Sequence, residues 1–195
     1  MNFALAPWPI STQQTGMVRS PWNLTIHTCP LRWSAPPNLS GGFCASQPDR
    51  NEIFLFLEDD LDFNRHFFYN LAAWTPLQRH SAGSHFFASL FNPGVRFLRS
   101  FPDSAYSEAS PSSVVGSQAM ILSRATARYL VTCWGVEPGP FADRKVSRLA
   151  GRVCPLFYHL PSLVQHIGTK SVWGGPFTQA SDFDKQWKAL DNPSH

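Results

Sequence analysis

Ile53-Phe54-Leu55-Phe56-Leu57-Glu58-Asp59-Asp60 is the stretch that decides how the chain is read. Five consecutive apolar residues are too few for a helix of ordinary length and lack the alternation of a strand with one wet face. Residues 53–57 therefore predict a strand covered on both sides, as in the parallel or mixed sheet of an α/β domain. Three carboxylates follow at its carboxyl end, the edge at which open α/β sheets bind ligands. Side by side they repel one another, and a hard divalent cation, Mn²⁺ or Mg²⁺, taking oxygen ligands relieves that repulsion. A solvated acidic loop capping the next helix is the other reading of the same triplet.

Downstream, Phe63, Phe67, Leu71 and Trp74 recur at helical spacing, predicting a helix that Thr75-Pro76 ends. The apolar run 85–91 stops at the turn signal Asn92-Pro93-Gly94, and 95–98 is expected to pair beside it. Residues 102–113, PDSAYSEASPSS, read as a mobile loop. A strand interrupted by Gly116 is expected over 114–122, and Ser123 then caps a helix over 124–133. A short helix over 142–149 carries Asp143 in its first turn, where a carboxylate suits the helix dipole. A last strand is expected over 153–160. Upstream, residues 1–50 are rich in Pro, Ser, Thr and Asn and poorly specified, with only 22–27 strand-like. The expected organisation is this N-terminal segment, an α/β domain over 51–180 with a mixed sheet and helices on both faces, and a polar tail over 181–195.

Composition supports a folded domain: 43% of the 195 residues are hydrophobic, with seven Trp and sixteen Phe to fill a core. Sixteen basic against thirteen acidic residues give a net charge of +3, too mild a bias to make nucleic acid or a membrane surface the main partner. Cysteines 29, 44, 133 and 154 lack the close pairing of zinc or redox motifs, so reduced thiols are expected. The N-terminus lacks a signal-peptide pattern, and no run of about 18 apolar residues occurs. A cytoplasmic location is the expectation, and under it the sequons at Asn23 and Asn38 carry no weight.

The segment LFLEDDLDF resembles the DxD-type element of GT-A glycosyltransferases, in the variant whose first acidic residue is Glu. Three further elements follow in that family's order. Val115-Gly116-Ser117-Gln118-Ala119 is similar to its glycine loop, Phe141-Ala142-Asp143 to its xED element, and His166 in PSLVQHIG to its C-terminal metal-ligand histidine. The resemblance runs over about 53–175 and is to the lipooligosaccharide-type and N-acetylglucosaminyltransferase-like branches. It implies a GT-A-like fold and transfer of a sugar from a nucleoside-diphosphate-sugar donor to a glycan or other hydroxyl acceptor. On this resemblance Glu58, Asp60 and His166 hold the divalent metal, while Asp59 faces the sugar or ribose. Gly116 and Ser117 let the backbone approach donor or acceptor, and Asp143 is the general base.

Two departures stand against that pattern. Ala142 replaces the acidic residue expected before Asp143, so Asp143 is either the base or part of the helix start. Residues 1–50 do not present the βαβ pattern that holds the nucleotide, so either the fold is abbreviated or the chain begins inside a longer protein. A truncated, non-catalytic domain that binds a partner or glycan is therefore the alternative function, and a two-metal phosphoesterase a more distant one. Among secondary candidates, Arg144, Lys145, Arg148 and Arg152 read as a phosphate contact or a solvated helix face. Trp173-Gly174-Gly175 reads as an acceptor-stacking loop or an aromatic plug. The histidines at 27, 66, 80, 85 and 159 lack metal-ligand spacing and are expected to be structural.

Overall fold

The computed structural model of the protein describes residues 24–28, by backbone alone, and 53–190 with 96, 111–113, 115 and 169–177 excepted. The cysteines at 29 and 44, the sequon at Asn38 and the Trp173-Gly174-Gly175 segment lie outside the described residues.

Chain order is β1 (Leu24–Thr28), β2 (Ile53–Leu57), β3 (Leu61–Phe63), α1 (Phe67–Ala73), α2 (Thr75–Gln78), β4 (Phe87–Ser89), β5 (Phe97–Phe101), β6 (Tyr106–Ala109), β7 (Ala119–Ser123), α3 (Arg124–Cys133), α4 (Ala142–Ala150), β8 (Leu156–His159) and β9 (Val164–His166). The main sheet runs β1-β2-β7-β4-β8-β6-β5, with β1 parallel to β2 and β4 parallel to β8 and every other pairing antiparallel. The remaining two strands, β3 and β9, form a separate antiparallel ladder.

Burial on both faces explains the unbroken apolar run of β2. Ile53, Leu55 and Leu57 point into a core closed by α1, α2 and the small sheet, through Phe67, Leu71, Leu77, Leu61 and Val164. Phe54 and Phe56 point the other way, onto Ala127 and Leu130 of α3 and Val146 and Leu149 of α4. The domain is thus a mixed sheet between two helical layers, as expected. Helix α3 starts where Ser123 accepts the Thr126 amide at 3.2 Å, satisfying one of the free N–H groups of the first turn. Among the described residues no helix is long and apolar enough to cross a membrane.

Three local expectations are corrected. Phe63 belongs to β3 and the helix begins four residues later at Phe67; the two rings still meet edge to face at 5.3 Å, so the helical spacing reported a contact across an element boundary. Residues 106–109, expected in a loop, form β6, whose alternating burial joins Ser107 and Ala109 to the interior while Tyr106 and Glu108 stay half-buried. Segment 95–98 does not pair beside β4, because β5 bonds to β6 at the far edge of the sheet.

The polar end of the sequence is bonded into the domain as far as residue 189. Asn64 donates to the carbonyls of Asp184 and Trp187, Asn70 receives the Ala189 amide, and Ser162 donates to Asp182. Trp187 meets the buried His159 ring edge to face at 5.4 Å. Residues 178–189 thus form a strap across the small sheet.

Candidate metal centre

Strand β2 ends at Leu57, and the chain passes through Glu58, Asp59 and Asp60 directly into β3. Register then does the assembling: Leu61 lies opposite His166 in the β3–β9 ladder, and the Ile167 amide donates to the Asp60 carbonyl at 2.9 Å. The ladder therefore delivers the histidine beside the last carboxylate, with His166 Nε2 2.9 Å from Asp60 Oδ2. One ligand atom from each of Glu58, Asp60 and His166 falls within 4.8 Å of the others, a group that can hold a metal ion. Asp59 is exposed on the turn between them.

Glu58 is held from three directions. Its amide donates to the Gln118 carbonyl at 2.9 Å, Ser117 Oγ donates to its Oε1 at 2.7 Å, and its side chain is partly buried. Burial pushes the Glu58 carboxyl above the usual carboxylate range; the Ser117 hydrogen bond opposes this, Asp60 adds to it, His166 opposes it, and Asp59 adds again. Desolvation and like charge acting together on a carboxylate are what a bound cation would relieve.

The donor set also fits a cation at His166. Its Nδ1 lies 3.3 Å from the Thr178 carbonyl, an acceptor, and its Nε2 faces a carboxylate oxygen, another acceptor. A neutral imidazole has one N–H for these two acceptors, and a cation held between Nε2 and Asp60 Oδ2 would let both be satisfied. Two oxygens and one nitrogen of this kind suit Mn²⁺ or Mg²⁺ supplemented by phosphate or water oxygens.

Gly116 turns with φ +85°, the left-handed region, and a Cβ there would lie 2.2 Å from Gln118 Oε1. Its amide donates to Asp143 Oδ2 at 2.7 Å, so the start of α4 is tied to the loop that carries Ser117 and Gln118. Gly116, Ser117 and Asp143 are thereby joined to the acidic cluster through one hydrogen-bonded loop. The Asp143 bond commits Oδ2, so any base role falls to Oδ1.

The basic residues around α4 are engaged within the domain. Arg152 and Arg148 both face Glu137, a buried carboxylate, with Arg148 at 3.8 Å. Arg144 lies over Phe141 and Lys145 over Trp134. Phosphate recognition by this cluster is not needed to explain it. Likewise His66 precedes α1, His80 bonds Ser84, His85 meets Tyr129, and His159 is fully buried, each a structural placement.

Sequence reasoning missed Gly168. A Cβ there would lie 2.1 Å from Asp60 Oδ2 and 2.8 Å from His166 Nε2, so only glycine leaves this pair its space. Its position in the quoted PSLVQHIG segment was the available signal. We expect Gly168→Ala to displace the carboxylate–imidazole pair and weaken Mn²⁺ binding by roughly 10- to 100-fold, the range found when groups around metal ligands are disturbed. Titration calorimetry reads the affinity directly; an unchanged value would mean the pair does not bind the ion.

No family model matches the chain, and no curated protein matches it in sequence.

Proposed function

We propose that the chain is a GT-A-type glycosyltransferase, moving a sugar from a nucleoside-diphosphate-sugar donor to a hydroxyl acceptor with a divalent metal held by Glu58, Asp60 and His166. The observation that carries this reading is the convergence of those three side chains, 106 residues apart at the extremes of the Asp60–His166 pair, at the carboxyl end of β2. Such a cation would neutralise the diphosphate as it leaves. The chain's own residues prepare the site for it: Ser117 and Gln118 fix Glu58, and the β3–β9 ladder fixes Asp60 against His166. Asp59, exposed beside them, is in reach of solvent-borne sugar or ribose hydroxyls, and Asp143 is the candidate base through Oδ1.

A non-catalytic, glycan- or partner-binding domain is the second reading. One observation favours it: the Gly116–Asp143 bond gives Asp143 a tethering role that requires no chemistry. The two separate by titrating nucleoside diphosphates and nucleotide sugars into the protein with and without Mn²⁺, and by assaying donor hydrolysis. Metal-dependent binding of one nucleotide with turnover of its sugar conjugate is the expected result. Absence of binding across the panel would leave the second reading standing.

A further inference from the structure

A cleft of about 290 Å³ opens between α2 and the strands β6 and β8, at the lower limit of ligand pockets and the size for one small ring compound. Phe86 marks one edge of it. The Phe86 carbonyl accepts the Ser123 amide, and Ser123 lies opposite Ile53, the first residue of β2, whereas Glu58 follows the last. The length of β2, roughly 16 Å given a rise of about 3.3 Å per residue, therefore separates that edge from the acidic cluster.

Two kinds of side chain line the cleft. The sheet side supplies rings: Phe86 and Phe157 stack at 5.7 Å, and Tyr106 meets Phe157 edge to face at 5.6 Å. Phe157 and Tyr106 are half-buried, so ring surface is offered to a ligand. Arg79, at the C-cap of α2, and Glu108, on β6, bring opposite charges to the same cleft. Among the described residues neither of these side chains is engaged by a hydrogen bond or an ion pair, with the other or with a third group. The imidazoles of the wall are already engaged, His80 Nδ1 with Ser84 Oγ and His85 against Tyr129.

Ring surface beside one unengaged donor group and one unengaged acceptor group suits a ligand that is apolar on a face and hydroxylated around its edge. A pyranose has that form: its C–H face packs on aromatic rings, and each hydroxyl both donates and accepts, toward carboxylate and guanidinium alike. A net charge of either sign on the ligand is opposed by one member of the Arg79–Glu108 pair, which favours a neutral sugar over an anion or a cation. We propose that this cleft binds a neutral pyranose unit of a glycan, with Arg79 donating to its hydroxyls and Glu108 accepting from them over the rings of Phe157 and Tyr106. The site goes beyond the transferase reading and does not depend on Glu58, Asp60 and His166 holding a metal.

The test uses the ¹⁵N-labelled full chain. Methyl glycosides of glucose, galactose, mannose and N-acetylglucosamine are each titrated to about 20 mM, a range suited to a ligand of so few atoms, and free phenylalanine is titrated as a zwitterion that carries a ring. The same titrations are run on Arg79→Ala, Glu108→Gln and Asp60→Ala. The expected result is a glycoside with a dissociation constant on the order of 1 mM, amide shifts confined to residues 79–86, 106–108 and 155–157, affinity about 10-fold lower in Arg79→Ala and in Glu108→Gln, and none lost in Asp60→Ala. Absence of shifts with every glycoside, equal binding in both cleft variants, or binding of phenylalanine in place of the sugars would overturn the proposal. Loss of glycoside binding in Asp60→Ala would also overturn it, moving the sugar to the acidic cluster. Should Glu108→Gln fail to fold, Arg79→Ala decides alone, since Arg79 is exposed. A protein that binds no Mn²⁺ and still shows these shifts would lose the metal reading and keep the sugar site.

Discussion

Asp60→Ala is expected to lower Mn²⁺ affinity by at least about 100-fold and to abolish metal-dependent nucleotide binding, a larger effect than removal of any group that only supports a ligand. Asp60 joins the two halves of the site, its side chain reaching His166 Nε2 and its carbonyl accepting the Ile167 amide. Only the side-chain half of that link is lost on substitution; the backbone bond and the β3–β9 ladder remain. The carboxylate is part-exposed and lies on a turn, so core packing is untouched, and removing one of three adjacent negative charges offsets the loss of its imidazole partner. Stability should therefore stay within about 1 kcal/mol of the parent. Calorimetric titration of Mn²⁺ with and without a nucleoside diphosphate, alongside urea unfolding, measures both quantities. Full metal affinity in the variant would remove the site.

The second large effect is on stability and concerns His159. Its ring is fully buried between Trp74 and Trp187, at 5.1 and 5.4 Å between ring centres, and Nδ1 donates to the Pro161 carbonyl at 2.7 Å. Burial pulls its pKa from 6.5 down to about 4, the Pro161 bond opposing. The unfolded chain therefore binds this proton more tightly than the folded one. Above about pH 6.5 neither state is protonated at His159 and stability is intact. As pH falls toward 4 the unfolded state gains protons first, and about 3 kcal/mol is lost, levelling off below pH 4. Urea unfolding of the parent and of His159→Asn at pH 7.5, 5.5 and 4.5 isolates this contribution from other titrating groups. The parent should lose about 2.5 kcal/mol more than the variant over that range; parallel pH profiles would show that His159 does not carry the loss.

What could be read beforehand follows from how local each signal is. Residues 53–57 announce a doubly covered strand because both of their faces are buried, and that burial writes apolar residues at every position. Helix α3 is equally plain, since Ser123 caps it from the preceding residue. Glu58, Asp60 and His166, which the fold brings together, could be singled out in advance because residue type and order mark them. Their supports could not. Strand β3 is three residues long and exists through pairing with β9, about a hundred residues away, so no periodicity within 61–63 foretells it. Gly168 matters only for the space between Asp60 and His166, visible only once the chain is folded. Strand β6 lay hidden in a serine-rich stretch because its alternation spans just four residues.

The three-residue β3–β9 ladder has a consequence for chain topology. The carboxylates and the imidazole belong to the two ends of a loop of about one hundred residues, within which β4 to β8 and four helices are built. Bringing those ends together in a disordered chain carries a loop-closure entropy that three ladder positions cannot offset alone. On the metal reading, the chelate would form only once the intervening sheet is in place. Affinity for a divalent cation would then report on the completeness of the whole domain, and neither half of the chain, taken separately, would show it.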